Sequence, residues 1–303
     1  MKKAFLLGAG LGTRLRPLTN LLPKPLIPVG NRPLIAHAFQ QLLEVGVEEF
    51  IVNTHHLSSR FAEAFPDGRF NGAPVTFVDE QPDVLDTGGG LANVAQLIQD
   101  DDCIVLNGDI LTDLPLQPAI EAHRKSNNLV TLVLRSGGHL DNVAWDRETG
   151  KIRDLRNTFG TNADELFQFA SISIVSPEFL PFVRPIPESV VPAWLKVISE
   201  HDRLGGVLID EGDWRDLGDL ESYLDAALAH PGEQRIHPSA KIDPSAEVDE
   251  FSQIGESCAV GPGARIVKSI LWPNVEIAPG ANLERCVAGS GVISGSHTNK
   301  ALA

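Results

Sequence analysis

Glycines that bare backbone N–H groups beside fixed cations suit a polyphosphate, and this chain begins with that pattern. Gly8-Ala9-Gly10-Leu11-Gly12-Thr13-Arg14-Leu15-Arg16-Pro17-Leu18-Thr19 is followed by Pro23-Lys24-Pro25. Lys2, Lys3, Arg14, Arg16, Lys24 and Arg32 all precede the first carboxylate, Glu44, although the whole chain has 25 Lys and Arg against 40 Asp and Glu. Three chemical readings compete for the loop. A dinucleotide fingerprint needs G-x-G-x-x-G and an acid at the end of the second strand; here position 13 is Thr and Asn53 stands at that strand end. A Walker-type loop needs Gly-Lys-Ser/Thr running into a helix, and this loop has no lysine and leads into Pro17. The third reading is a phosphate cradle of another kind, with Arg14 and Lys24 as its cations. The plain alternative is a tight turn with solvated arginines.

Such a loop must be held at the end of a strand. Ala4–Leu7 reads as a short buried strand. Pro33 and Gly46 bracket a helix with Leu34, Ile35, Ala38, Phe39, Leu42 and Leu43 at helical spacing. Strands are expected at Phe50–Val52, Val75–Val78, Cys103–Leu106 and Leu129–Leu134. Helices are expected after Gly88-Gly89-Gly90 and over 118–126. This alternation implies a largely parallel sheet covered on both faces, with ligands beyond the carboxyl ends of the strands. The glycine loop, Asn53 and Asp109 fall at such ends. Further on, Val143–Trp145 and Ile152–Leu155 read as a hairpin, Phe167–Val175 as a strand, and Val190–Ser199 and Leu220–Ala229 as helices.

From residue 236 the pattern changes. Ile236, Ile242, Val248, Ile254, Val260 and Ile266 recur every six residues, and the register then slips by one to Leu271, Ile277 and Leu283. A six-residue aliphatic repeat marks a parallel β-helix, here of three or so coils. The predicted domains are therefore 1–231 and 236–303.

Composition narrows the function classes. A net charge of −15 disfavours nucleic acid but permits a small anionic substrate where the local field is positive. No apolar run reaches membrane-spanning length, and Met1–Leu7 is too short for a secretory leader. Cys103, Cys258 and Cys286 are odd in number and widely spaced, so neither a disulfide framework nor a metal motif is expected. A cytoplasmic location follows. His55 and His56 alternate faces on a strand and do not easily share one ion.

The string from Leu7 to Thr19, with Pro23-Lys24-Pro25-Leu26-Ile27-Pro28-Val29, resembles the signature of sugar-1-phosphate nucleotidylyltransferases. The resemblance continues through Asp86-Thr87-Gly88-Gly89-Gly90, Asn107-Gly108-Asp109, Ser176-Pro177-Glu178-Phe179 and Trp214-Arg215-Asp216-Leu217-Gly218, covering about residues 1–230. It is similar to the N-acetylmuramate-1-phosphate uridylyltransferases and to the mannose- or heptose-1-phosphate guanylyltransferases. It implies an α/β fold: a mostly parallel, Rossmann-like sheet with helices on both faces, then a C-terminal left-handed parallel β-helix. It also implies a reaction, in which an NTP and a sugar 1-phosphate give an NDP-sugar and pyrophosphate with Mg²⁺. UTP or GTP would be the nucleotide, and N-acetylmuramate, mannose, heptose or glucose 1-phosphate the sugar.

By the same resemblance Arg14, Lys24 and Asp109 would be catalytic, and Asp109 and Asp216 would hold the metal. Leu7, Gly8, Ala9, Gly10, Gly12, Thr13 and Arg14 would cradle the nucleotide. Gly88 and Gly89 would let the base approach the backbone, with Glu80 or Gln81 reading its edge. Lys24, Asn142, Arg156 and Ser171 would meet the sugar phosphate. The chain departs from the family at Gly8, where Ala is usual, and at two places on the sugar side. Leu155-Arg156-Asn157-Thr158 replaces a Glu-Lys-Pro, and Phe169-Ala170-Ser171 replaces an Asn-Ala-Gly. These departures motivate an alternative, a non-catalytic NDP-sugar-binding regulatory or assembly subunit. The tail is expected to support structure, regulation or homo-oligomer formation. Acyl transfer would need a histidine at a coil groove, and His237 and His297 lie at the ends of the repeat.

Overall fold

Short apolar runs alternating with amphipathic helices build a ten-stranded sheet. In the computed structural model, which describes every residue except His139, Leu140, Pro231 and Glu233, its strands are β1 (Lys3–Leu7), β2 (Glu49–Thr54), β3 (Arg69–Phe70), β4 (Ala73–Asp79), β5 (Cys103–Asn107), β6 (Val130–Arg135), β7 (Val143–Asp146), β8 (Lys151–Leu155), β9 (Gln168–Val175) and β10 (Leu204–Leu208). Their order across the sheet is β7-β8-β10-β6-β9-β5-β1-β2-β4-β3. β5, β1, β2 and β4 run parallel, as their apolar runs predict. Ala4, Phe5, Leu6, Phe50, Ile51 and Val52 are fully buried, the mark of strands covered on both faces.

The other half of the sheet is more antiparallel than expected. β9 is antiparallel to both β5 and β6, and β7 and β8 form the predicted hairpin. β10 rejoins parallel to β6. The reason lies in the connection. A parallel return needs a crossover, usually a helix. Between β6 and β9 the chain makes a hairpin instead, so Gln168 comes back to pair with Arg135, the last residue of β6.

Helices α1 (Leu34–Glu44), α5 (Gln117–Lys125), α6 (Val191–His201) and α7 (Leu220–Ala229) match the expected positions, α2 (Ser59–Ala64) was not anticipated, and the one helix expected after the glycines is divided into α3 (Asp86–Asn93) and α4 (Ala95–Ile98). α3 starts before the three glycines, which lie inside it. Gly88 and Gly89 both donate their amides to Glu188 O, at 2.9 and 3.1 Å. A Cβ on Gly89 would come within 2.1 Å of Ile186 O. These glycines admit the 186–189 segment, a tertiary contact that local propensity could not show. Among the described residues no helix is long and apolar enough to cross a membrane. The three cysteines are buried and free, and burial pushes the Cys103 thiol up to about 12.

Chain contacts divide into two units: Met1–Gly10 with Ala38–Trp214, and Leu11–His37 with Arg215–Ala303. This differs from the sequence division at 231–236. Most of the cationic signature and α7 group with the repeat region, because buried polar and apolar contacts bind them to it. The repeats themselves form three four-stranded parallel sheets, close to the three or so coils expected and consistent with the left-handed β-helix. Ile242 pairs with Val260 and Val248 with Ile266, so a coil is three six-residue sides. Ile254 then pairs with Leu271 and Val260 with Ile277, which absorbs the slip of one residue.

Candidate active site

Leu7, Asn53 and Asn107 stand level at the carboxyl ends of β1, β2 and β5. From this row the glycine loop and the Asn107-Gly108-Asp109 turn both emerge. Leu7 O accepts from Gly108 N at 2.9 Å, which fixes the turn carrying Asp109 to the root of the loop. Asn53, only 2 % exposed, takes the Gly8 amide on Oδ1 at 2.7 Å and donates from Nδ2 to Glu80 Oε1 at 2.7 Å. The other Glu80 oxygen accepts from Leu85 N at 2.8 Å. Both oxygens are therefore engaged inside the protein, and Glu80 organises the loop before α3. Gln81 beside it is exposed. Gly10 is exposed with nothing within 4 Å of a Cβ position, so its backbone is open to a ligand.

The sugar-side candidates lie on the hairpin and β9. Asn142 O accepts from Arg156 N at 2.7 Å, bringing two of them together at the hairpin base. Arg156 is exposed with φ 58°. The loop that follows is wrapped around Asp154, which is 1 % exposed and accepts from Phe159 N, Thr161 N and Thr161 Oγ1. Burial alone would raise its pKa; these bonds outweigh burial and hold the carboxyl below its usual range. Ser171 has φ 60°, a left-handed position where glycine is easier. It lines a cavity with Leu7, Thr87, Asn107, Phe169 and Trp194. Phe169 meets Trp194 edge-on at 5.2 Å, and the Trp194 Nε1 has no partner among the described residues. The cavity is thus more apolar than an Asn-Ala-Gly pattern would make it.

The second unit gathers the cations. Gly12 has φ 59°, and its carbonyl accepts from Thr19 Oγ1 at 2.9 Å, so Thr19 closes the glycine turn. A Cβ on Gly218 would stand 2.9 Å from Arg14 Nη1, so the glycine makes room for the guanidinium. Lys24, 7 % exposed, places Nζ 3.5 Å from Asp216 Oδ1. Asp219 caps α7 through Ser222, and those bonds, with a smaller contribution from the Arg14 charge, hold its carboxyl low. Arg14, Lys24 and Asp216 come from motifs some 200 residues apart, and the fold joins them.

The family model described as nucleotidyl transferase matches residues 3–139. A mannose-1-phosphate guanyltransferase of Debaryomyces hansenii is 31% identical over 95% of this chain and 86% of its own length. The chain belongs to the sugar-1-phosphate nucleotidylyltransferases. An N-acetylmuramate alpha-1-phosphate uridylyltransferase of Neisseria meningitidis is 36% identical, over 39% of this chain and 52% of its own. The UTP-bound UGPase of Acinetobacter baumannii shares the fold, with TM-score 0.64 and 21% identity over 78% of this chain and 95% of that one.

As a nucleotidylyltransferase the chain should suit a hard divalent ion. Asp109 belongs to the first unit and Asp216 to the second, each with carboxylate oxygens to offer, and no group of three or more His, Cys, Asp or Glu stands together among the described residues. Hard oxygen donors without a closed cage fit an ion that keeps waters and takes phosphate oxygens. Sequence reasoning missed Asn53, Thr19 and Asp154 as organisers of the nucleotidylyltransferase loops. Asn53 carried a signal, since an amide at a strand end beside a glycine loop can serve as donor and acceptor together. Asp154 carried none, because its partners come from a loop without regular structure.

Proposed function

We propose that the protein joins GTP and a mannose-type hexose 1-phosphate, forming the NDP-sugar and releasing pyrophosphate. The observation that carries this reading is the grouping of Arg14, Lys24 and Asp216, two cations and a carboxylate. Two anions that must meet in line need their repulsion screened and their geometry held. A phosphate monoester is itself a nucleophile, so no Ser, Cys or His is required. Lys24 would hold the attacking sugar phosphate, and Arg14 would take charge building on the departing pyrophosphate. The amides of Gly10, Gly12 and Thr13 would receive phosphate oxygens. Asp109 and Asp216 would hold Mg²⁺, which when bound neutralises phosphate charge. Gln81 would face the base beside Gly88 and Gly89. Asn142, Arg156 and Ser171 would line the sugar side, Arg156 standing where the family has lysine.

The guanine and mannose assignment is supported by the Debaryomyces relative, which is matched through the tail, whereas the N-acetylmuramate enzyme is matched over 39% of this chain. UTP with N-acetylmuramate, heptose or glucose 1-phosphate are the competing pairs. A matrix of every NTP against these sugar 1-phosphates, read as pyrophosphate release, tests the proposal. GTP with mannose 1-phosphate should give the highest kcat/KM. Pyrophosphate from no pair, with an NDP-sugar still bound, would replace it by the non-catalytic alternative. A homo-oligomer through the tail belongs to the same proposal and is read by sedimentation velocity.

A further inference from the structure

The β-helix grips one short piece of the signature segment by its backbone. Tyr223, fully buried on α7, donates its hydroxyl to Pro28 O at 2.6 Å, and Trp272 of the β-helix donates Nε1 to the same hydroxyl at 3.0 Å. Gln253, 1 % exposed, accepts the Gly30 amide on Oε1 at 3.0 Å while its Nε2 donates to Ala227 O. Asn31 donates to Gln234 O at 2.9 Å and reaches Arg235 O and Ile254 O at 3.3 Å. Leu18 and Leu21 pack where Gly289 leaves room. Apolar docking would need only the last of these contacts. Instead, two buried polar side chains, Tyr223 of α7 and Gln253 of one coil, hold a stretch of four residues, Trp272 of the next coil steadies the Tyr223 hydroxyl, and two of the four residues have positive φ. Buried polar groups are kept where their partners are fixed, and each bond here fixes a backbone position.

We infer that Tyr223, Trp272 and Gln253 are positioning residues for Lys24, so the β-helix is a working part of the catalytic apparatus. The link is short: Ile27 N donates to Lys24 O at 3.2 Å, and Pro28 follows directly. A shift of the Pro28–Asn31 loop therefore moves the turn that aims Lys24 Nζ at Asp216. The root of the glycine loop is held elsewhere, by Gly8 on Asn53. Loosening the tether should consequently disturb the phosphate-transfer geometry more than nucleotide binding. The inference rests on the role proposed for Lys24.

The test uses the full chain. Tyr223→Phe removes the hydroxyl and keeps the ring; Asn31→Gly removes three hydrogen bonds and suits the left-handed backbone, so it carries the test if the first variant fails to fold. Both should lower kcat by about tenfold and raise the Mg²⁺ needed for half-maximal rate severalfold, with the NTP KM within about twofold. Hydrogen exchange at Ile27, Val29 and Gly30 should quicken in both. Unchanged kcat and Mg²⁺ dependence in folded variants would overturn the inference, as would unchanged exchange. Lys24→Ala separates the two readings. If it keeps turnover, the role of Lys24 falls; if it loses turnover while Tyr223→Phe keeps it, the tether is packing alone.

Discussion

Two buried polar side chains carry more of the site than their position in the sequence suggests. Asn53 links the Gly8 amide to Glu80, so Asn53→Ala takes a hydrogen-bond partner from both the Gly8 amide and Glu80 Oε1, while Glu80 keeps Leu85 N on its other oxygen. A buried unsatisfied group costs about 1–3 kcal/mol. The variant should melt several degrees lower and lose about tenfold or more in kcat/KM for the NTP, measured by thermal unfolding and pyrophosphate release. Asp109→Asn removes the carboxylate charge from the turn tied to Leu7. It should lower turnover at least a hundredfold while the melting temperature stays close to that of the parent; full activity would overturn the metal role proposed for Asp109. Asp154 gives a pH-dependent test. Its folded pKa lies below the ordinary carboxylate value, so its stabilisation is fully present above the unfolded value near 4 and is lost as pH falls through the folded value. Asp154→Asn should therefore be clearly less stable than the parent at pH 7, with the difference shrinking below about pH 4 in urea unfolding.

Among the elements, α7 joins the most separate functions. Its first residues follow the motif holding Asp216 and Gly218, its middle carries Tyr223, and Ala227 O near its end accepts from Gln253. Its start depends on a capping box in which Asp219 and Ser222 satisfy each other's backbone amides. Asp219→Ala should cost about 1 kcal/mol. It should also slow turnover by loosening the place where Gly218 receives Arg14; a stability loss with unchanged kcat would limit the cap to a structural role. The hairpin of β7 and β8 is an element of another kind. It carries Asn142 and Arg156 outward and lets β9 return antiparallel, so the sugar-side candidates sit where the sheet abandons its parallel order.

For the whole molecule the metal is the informative probe. Two carboxylates without a closed cage should bind Mg²⁺ weakly until phosphate oxygens complete the shell. Mg²⁺ alone should then leave the melting temperature within about a degree, while Mg²⁺ with NTP should raise it by several degrees through mass action. Removing Mg²⁺ with EDTA should stop turnover and leave the fold intact. A large stabilisation by Mg²⁺ alone would point to a preformed protein site and contradict the absence of a three-ligand group among the described residues.

The local structure of this protein was legible in the sequence. Ala4–Leu7 came out within the buried strand that leads into the glycine loop because an apolar run is a property of neighbours, and the six-residue period announced the β-helix because each coil repeats one local shape. α7 and the hairpin came out at their expected places for the same reason, caps and turn residues being local. What tertiary structure decided were the pairings between distant residues: Arg14 on Gly218, Lys24 beside Asp216, Glu80 turned inward to Asn53, and the Pro28–Asn31 loop held by Tyr223 and Gln253. It also decided the antiparallel entry of β9 and the grouping of residues 11–37 with the tail. Such contacts form when side chains remote in the chain exclude water together, and no local pattern encodes which of several buried partners a polar atom will find.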